Sequence, residues 1–365
     1  MKQKTLVYYF LIFAISFTLF LPVLNLSFTY AYKKITIQHF SKRYLFSTDN
    51  FESVLNYVAY KAFDFSLDEA NVIVGEKPFF FLGNSHASII DKTKGTFLYA
   101  DKDIKLWADT LKKLQEWYEN QGIKFILAIA PNKHSVYSDK LPKSIIYKEG
   151  KTITDAIVKH GLDKGIHIVN LKNVLKQNKE EKQLFFHTDT HWTNYGALLG
   201  YEKSMEYLNS IYKTDYKVPK YTSTEINSDG SGDLTRFLKI NHFLADNYEK
   251  DYSLAFQNSH TLCYGEITKA NTLKGCTPSI KNQFNQYSVN TNAVNQEKLL
   301  YLCDSFGLAN SQLYSKTFHT VWRFHISYTH GKMLEKFLQE NKPDIVIYQV
   351  VERDLGNKTI LDDMP

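Results

Sequence analysis

The chain has 365 residues, 44% of them hydrophobic and 22% charged, a globular composition and not that of a disordered or fibrous protein. Its net charge of +6 is mild for this length, and the lysines are scattered among acids; with no dense Lys/Arg block, nucleic acid is not an expected partner. The 25 Tyr and 25 Phe are the strongest bias, and aromatic rings fill cores by default although they also stack on sugars.

After Lys2 and Lys4 no charge occurs until Lys33, and the segment from Leu6 to Leu24 is almost wholly apolar. A helix of about 20 apolar residues matches the hydrocarbon core of a bilayer. The run exceeds the roughly 7–15 residues of a signal-peptide core, and no small-x-small cleavage site follows it. Lys2 and Lys4 favour a cytoplasmic N-terminus, against the opposing pull of Lys33, Lys34, Lys42 and Arg43. The expectation is an uncleaved anchor over residues 1–30, with everything beyond it outside the cytoplasm. Residues 31–70 mix Tyr and Phe with Lys, Asp and Ser and read as a stalk or peripheral helices.

Residues 71–365 carry the patterned domain. Ile104, Leu106, Trp107, Leu111, Leu114, Trp117 and Tyr118 recur at helical spacing and predict a helix over 102–120. Gly122 ends it, and residues 123–130 read as a buried strand closed by Pro131-Asn132. A helix near 151–160, a strand over 166–171 and a helix from Tyr195 to Leu208 follow. Residues 213–295, rich in Asn, Thr, Ser and Tyr, read as an irregular β-rich insertion. Strands at 299–303, 320–324 and 344–351 then alternate with helices after Ser305 and over 328–341. Apolar strands alternating with amphipathic helices predict a three-layer α/β domain with a mostly parallel sheet.

Three cysteines suit an oxidising compartment: Cys263 and Cys276 are close enough in sequence for a short disulfide, leaving Cys303 over. No CxxC or Cys/His spacing supports a structural zinc site, and no cofactor is called for.

Two segments carry chemistry. One is His187-Thr188-Asp189-Thr190-His191-Trp192, on a turn just ahead of a helix; the other is Leu302-Cys303-Asp304-Ser305-Phe306-Gly307, directly after an apolar strand. A serine needs a base within hydrogen-bond reach, itself oriented by a third group. Asp189, His191 and Ser305 are the candidates for orienter, base and nucleophile. Ser305 falls at the carboxyl end of the sheet and at a helix N-terminus, where N–H groups stabilise an oxyanion. Each piece has a bland reading: an Asp-x-His is also a helix cap beside a surface histidine, and an Asp-Ser after a strand is often an N-cap.

The order Asp189-x-His191-Trp192 first and Asp304-Ser305-Phe306 afterwards resembles the alginate O-acetyltransferase family of the AlgX/AlgJ type. The resemblance extends over roughly residues 75–355. It includes Ala130-Pro131-Asn132-Lys133-His134-Ser135-Val136-Tyr137, Gly232-Asp233-Leu234, and Pro343-Asp344-Ile345-Val346-Ile347 running to Glu352-Arg353. It implies a circularly permuted SGNH hydrolase-like domain in which Ser305 takes the acetyl group, His191 is the general base and Asp189 its orienting carboxylate. It also implies a membrane-bound O-acyltransferase partner that passes acetyl across the membrane, since cytoplasmic acetyl-CoA is out of reach. Where the family usually has Gly, this chain has Cys303, read as a small buried residue and not a catalytic thiol.

Lys133 and His134, after the first strong strand, are equally cleft residues or a solvated loop. His187 binds substrate or packs, Trp192 stacks on a sugar or anchors its helix, Arg323 is a substrate contact or a structural ion pair, and Arg353 is a structural ion pair. Gly83-Asn84-Ser85-His86 reads as a turn, because adjacent side chains of an extended segment point apart. Three functions compete: acetyl transfer to a polysaccharide in the periplasm (exopolysaccharide, capsule or peptidoglycan), hydrolysis of acetyl from such a polymer by the same triad, and a non-catalytic polysaccharide-binding assembly subunit.

Overall fold

The computed structural model describes every residue except 1, 33–35, 98, 229, 247, 258–261, 268–272, 278–284, 330 and 357–365. The chain divides into two compact units, the first made of residues 1–82, 187–189 and 229–248, the second of residues 83–186, 190–228 and 249–365.

The first unit opens with the helix Lys2–Tyr32, of which Lys4–Tyr32 is long and apolar enough to cross a membrane. From Lys4 to Phe20 none of its side chains is buried, whereas Leu21, Asn25, Phe28 and Thr29 are. The Phe28 ring meets those of His242 and Phe243 edge-on at 5.7 Å, and the helix also packs on the short helix Lys42–Leu45 and the helix Asp49–Phe63. Asn25 is the polar centre of that contact. Its amide donates to the carbonyls of Tyr44, Leu45 and Ser47 at 2.9, 2.9 and 3.0 Å, and its Oδ1 accepts from Asn50 at 2.9 Å. A buried amide with its partners present costs little, and one without them costs several kcal/mol. Two short strands, β1 (Val72–Val74) and β2 (Phe80–Leu82), pair antiparallel, and Phe80 N–H donates to the His187 carbonyl at 2.9 Å. Gly232 lies against the Thr188 carbonyl and Asp189 nitrogen, where a Cβ would collide.

The second unit is built on one sheet. Its strands are β3 (Lys124–Ala130), β4 (Ile168–Asn170), β7 (Leu262–Ile267), β8 (Leu273–Thr277), β9 (Gln286–Asn290), β10 (Asn295–Cys303), β11 (Phe318–His325) and β12 (Ile345–Val351). Between β4 and β7 in sequence, β5 (Tyr221–Ser228) and β6 (Glu249–Phe256) form a separate antiparallel pair. The sheet order is β4-β3-β12-β10-β11-β9-β7-β8. The first five strands are parallel, and β9, β7 and β8 continue the sheet antiparallel. β3, β12 and the Leu299–Cys303 end of β10 bury nearly every residue, as strands covered on both faces do.

Side-chain alternation assigns the faces. Phe125, Leu127, Ile129, Leu300, Leu302, Val346, Tyr348 and Val350 pack against the helices Asp101–Glu119, Ile153–Asp163 and Gly331–Asn341. The opposite face meets the helices Asn194–Tyr212 and Gly307–Thr317. There Tyr301 meets Tyr314 at 4.8 Å between ring centroids, and Gln349 donates to Asn310 at 3.3 Å. The result is the expected three-layer α/β arrangement with a mostly parallel sheet.

Candidate active site

Ser305 is presented by the end of β10. After the buried run Leu299–Cys303 the chain turns at Asp304, which is itself buried. Its Oδ1 accepts the Phe306 N–H at 2.9 Å and its Oδ2 the Val351 N–H at 2.6 Å, at the end of neighbouring β12. One carboxylate therefore closes the turn and ties it to the next strand. Burial pushes the Asp304 carboxyl up to about 6, against the downward pull of the two N–H donors and of Arg353. The helix Gly307–Thr317 starts at once, and a Cβ on Gly307 would collide with the Cβ and Sγ of Cys303.

His191 comes from a second turn. Phe185 and Trp192 bridge antiparallel across it, and Thr193 N–H donates to the Leu184 carbonyl at 2.9 Å. Thr193 Oγ1 accepts from Gly196 N–H at 3.1 Å, capping the helix Asn194–Tyr212. The Trp192 indole donates to the Phe306 carbonyl at 3.0 Å and clasps the two turns together. The Phe306 ring packs against His191, with centroids 5.0 Å apart, and the Arg353 guanidinium lies 5.3 Å from that ring's centre. In this setting His191 Nε2 and Ser305 Oγ are 3.0 Å apart, across 114 residues of sequence. Both are half-buried. A hydroxyl and an imidazole at that distance are placed for proton transfer. Asp189, two residues before His191 in the chain, belongs to the first unit, where its Oδ2 accepts the Asp233 N–H at 3.0 Å.

The residues expected to meet substrate are mostly occupied with structure. Lys133 and His134 are buried on the short helix Lys133–Val136 and are neither a solvated loop nor an open cleft wall. The Lys133 ammonium donates to the Phe186 carbonyl at 2.7 Å. Trp192 is the anchor described above and not an exposed stacking platform. Arg323 sits inside β11, only 2% exposed, donating to Ser311 at 2.9 Å; a guanidinium that deep corrects the expectation of a substrate contact. His187 is half-buried in the first unit with its ring 4.5 Å from Phe79. Gly83-Asn84-Ser85-His86 is a turn, and Asn84 Oδ1 accepts the N–H groups of Ile90 and Asp91 at 3.0 and 3.1 Å.

Two acids carry the geometry without having been singled out. Asp304 passed as part of the Asp-Ser pair. Glu352, at the end of β12, accepts from Asn132 N–H at 3.0 Å and Ser135 Oγ at 2.6 Å, holding the segment after β3. The available signal was an acid immediately following an apolar strand, where only backbone N–H groups and short hydroxyls are within reach. Cys303 is a buried free thiol whose pKa burial pushes up, so it stays neutral. Cys263 is disulfide-bonded; the side chain of its expected partner, Cys276, lies outside the described residues.

Residues 93–260 match the family described as "ALGX: SGNH hydrolase-like domain, acetyltransferase AlgX". Over that stretch the chain is similar to the AlgX/AlgJ-type family. A curated relative, the probable alginate O-acetylase AlgJ of Pseudomonas putida, is 26% identical over 158 residues, 40% of this chain. That match spans 40% of the length of the relative. Among solved structures, Bacillus cereus PatB1 superposes with a TM-score of 0.60 at 19% identity, covering 79% of this chain and 99% of PatB1. The O-acetyltransferase domain of Pseudomonas putida AlgJ gives a TM-score of 0.52 at 17% identity, covering 79% of this chain and 93% of that domain. At such identities the two structures speak for the fold alone.

Proposed function

We propose that the chain is an O-acetyltransferase that moves acetyl through an acyl-serine on Ser305 to hydroxyls of a cell-envelope polysaccharide. The observation that carries this reading is the 3.0 Å approach of Ser305 Oγ to His191 Nε2 at a strand end and helix start, in a chain that matches, over residues 93–260, a family named for an acetyltransferase. Ser305 Oγ attacks the acetyl carbonyl of the donor while His191 Nε2 takes its proton. The tetrahedral oxyanion is stabilised by the N-terminus of the helix Gly307–Thr317. Collapse expels the donor's leaving group, which receives the proton from His191. A sugar hydroxyl then repeats the sequence in reverse, giving its proton to His191, taking the acetyl group and returning Ser305 to its hydroxyl form. Asp189, two residues from His191, is assigned the role of orienting the imidazole and stabilising its charged form. The donor is a membrane-bound O-acyltransferase. The apolar helix holds the enzyme in the cytoplasmic membrane with its catalytic part in the periplasm.

The test is turnover of a chromogenic acetyl ester by the full chain in detergent, with and without an oligosaccharide acceptor. Appearance of acetylated acceptor, lost in Ser305→Ala, supports the proposal. Acetate release unaffected by acceptor makes the chain an esterase, and inertness makes it a binding subunit.

A further inference from the structure

The segment that follows the apolar helix sits at a depth that a water-exposed segment would not occupy. Taking the helix Lys2–Tyr32 as a membrane span, as the proposed function does, about 20 residues cross the hydrocarbon core, so a span beginning at Thr5 ends near Leu24. Burial of the helix against its own unit begins earlier, at Leu21. Phe17, still further in, meets Phe51 edge-on with ring centroids 5.2 Å apart. The Phe51 ring thus lies within the depth the span occupies. A tilt of about 20° brings still more residues of the helix into the core and deepens this contact.

The surrounding chemistry suits that depth. Irregular backbone at a membrane boundary is tolerated only where its polar groups find protein partners. Asn25 supplies them, taking the carbonyls of Tyr44, Leu45 and Ser47 and the amide of Asn50. At 100° per residue, Phe51 and Leu55 share one face of the helix Asp49–Phe63, while Asp49, Glu52, Ser53 and Asn56 share the other. The polar face is neutralised by its own unit: Asp49 and Glu52, both exposed, pair with Lys239, and Ser53 and Asn56 donate to the carbonyls of Lys239 and Leu238. The apolar face is open, with Leu55 42% and neighbouring Phe46 46% exposed. Lys42 and Arg43, both exposed, stand beside Phe46, the arrangement of apolar rings and snorkelling cations found at a bilayer boundary.

We infer that Phe46–Leu55 is a second membrane contact. Phe46, Phe51 and Leu55 lie among the acyl chains beside the span, and Lys42 and Arg43 lie among the phosphates of the headgroups. The occupant of this apolar face is lipid and not another protein.

The full chain is reconstituted alone in phospholipid nanodiscs, with a nitroxide on one introduced cysteine at a time: Leu11→Cys, Phe46→Cys, Leu55→Cys or Glu69→Cys. Unmodified protein serves as the labelling blank. Collisions with oxygen report lipid, and collisions with a water-soluble nickel chelate report solvent. The oxygen-to-nickel ratio at Phe46 and Leu55 is expected to be several-fold above that at exposed Glu69, and below that at Leu11. Ratios at Phe46 and Leu55 equal to that at Glu69, with Leu11 still in lipid, overturn the second contact, leave the span intact and assign the face to a protein partner. A ratio at Leu11 equal to that at Glu69 removes the span and this inference together.

Discussion

Ser305 contributes little to packing, since it stands half-exposed beyond the buried end of β10. Ser305→Ala is therefore expected to lower acetyl-ester turnover by about 10³-fold or more while leaving the urea midpoint unchanged. His191→Ala should be nearly as damaging, and the double variant no worse than either, because the pair acts as one unit. An additive double variant would separate the two residues. Asp304 acts differently, through position. Its carboxyl, about 6 in the folded chain against an ordinary 3.8, holds its proton more tightly when folded. Such a group contributes fully below its unfolded value and loses that contribution as pH rises through the folded one. Asp304→Asn lacks this titration, so the stability advantage of the natural chain over it should shrink as pH rises from about 4 to about 6. A constant difference in urea midpoints across that window would disprove the assignment. The candidate nucleophile and base were legible as residue types in a spaced pattern. Asp304, Glu352 and the Trp192–Phe306 clasp were not, because each depends on a backbone group brought in from a distant strand or turn.

At the scale of elements, the turn from β10 into the helix Gly307–Thr317 depends on two small residues that touch. Gly307 leaves no room for a Cβ because Cys303 fills the space, with the Tyr301 hydroxyl also close. Gly307→Ala should cost about 1–3 kcal/mol by overpacking. Adding Cys303→Gly should restore part of that loss, a coupling that urea denaturation of the two single variants and the double variant reads directly. Equal losses with and without Cys303→Gly would mean that the strain lies elsewhere. The strands and helices of the parallel core follow the sequence closely: apolar runs of strand length at 123–130, 299–303 and 344–351 lie within β3, β10 and β12 or within a residue of them. The insertion was legible only as β-rich. That β9, β7 and β8 continue the main sheet while β5 and β6 pair apart depends on partners far away in sequence, for which no local pattern exists.

At the scale of the whole molecule, the helix Lys2–Tyr32 is the proposed membrane anchor. The full chain should remain with membranes through both a high-salt and an alkaline carbonate wash, because hydrocarbon burial of about 20 residues does not depend on charge. Release by carbonate would show a peripheral protein. Composition and the uncharged run to Lys33 made this helix legible. The grouping of residues 187–189 and 229–248 with residues 1–82 was not, since only long-range packing decides it.

The sheet order has a consequence for biosynthesis. β3 with β4, and β10 with β11, β9, β7 and β8, are two blocks joined only through β12. β12 is the last of these strands to leave the ribosome. Until it is delivered, each block carries one bare strand edge and one unsupported apolar row, and the Val351 N–H that braces Asp304 does not yet exist. The nascent chain thus holds its candidate nucleophile without its elbow. Closure of the sheet and assembly of the candidate site become one late event, triggered by a keystone of seven residues. Non-local pairing of this kind is slow and leaves sticky edges waiting. A ribosome stalled or stopped before Ile345 yields two half-sheets in search of a partner and no partly active enzyme.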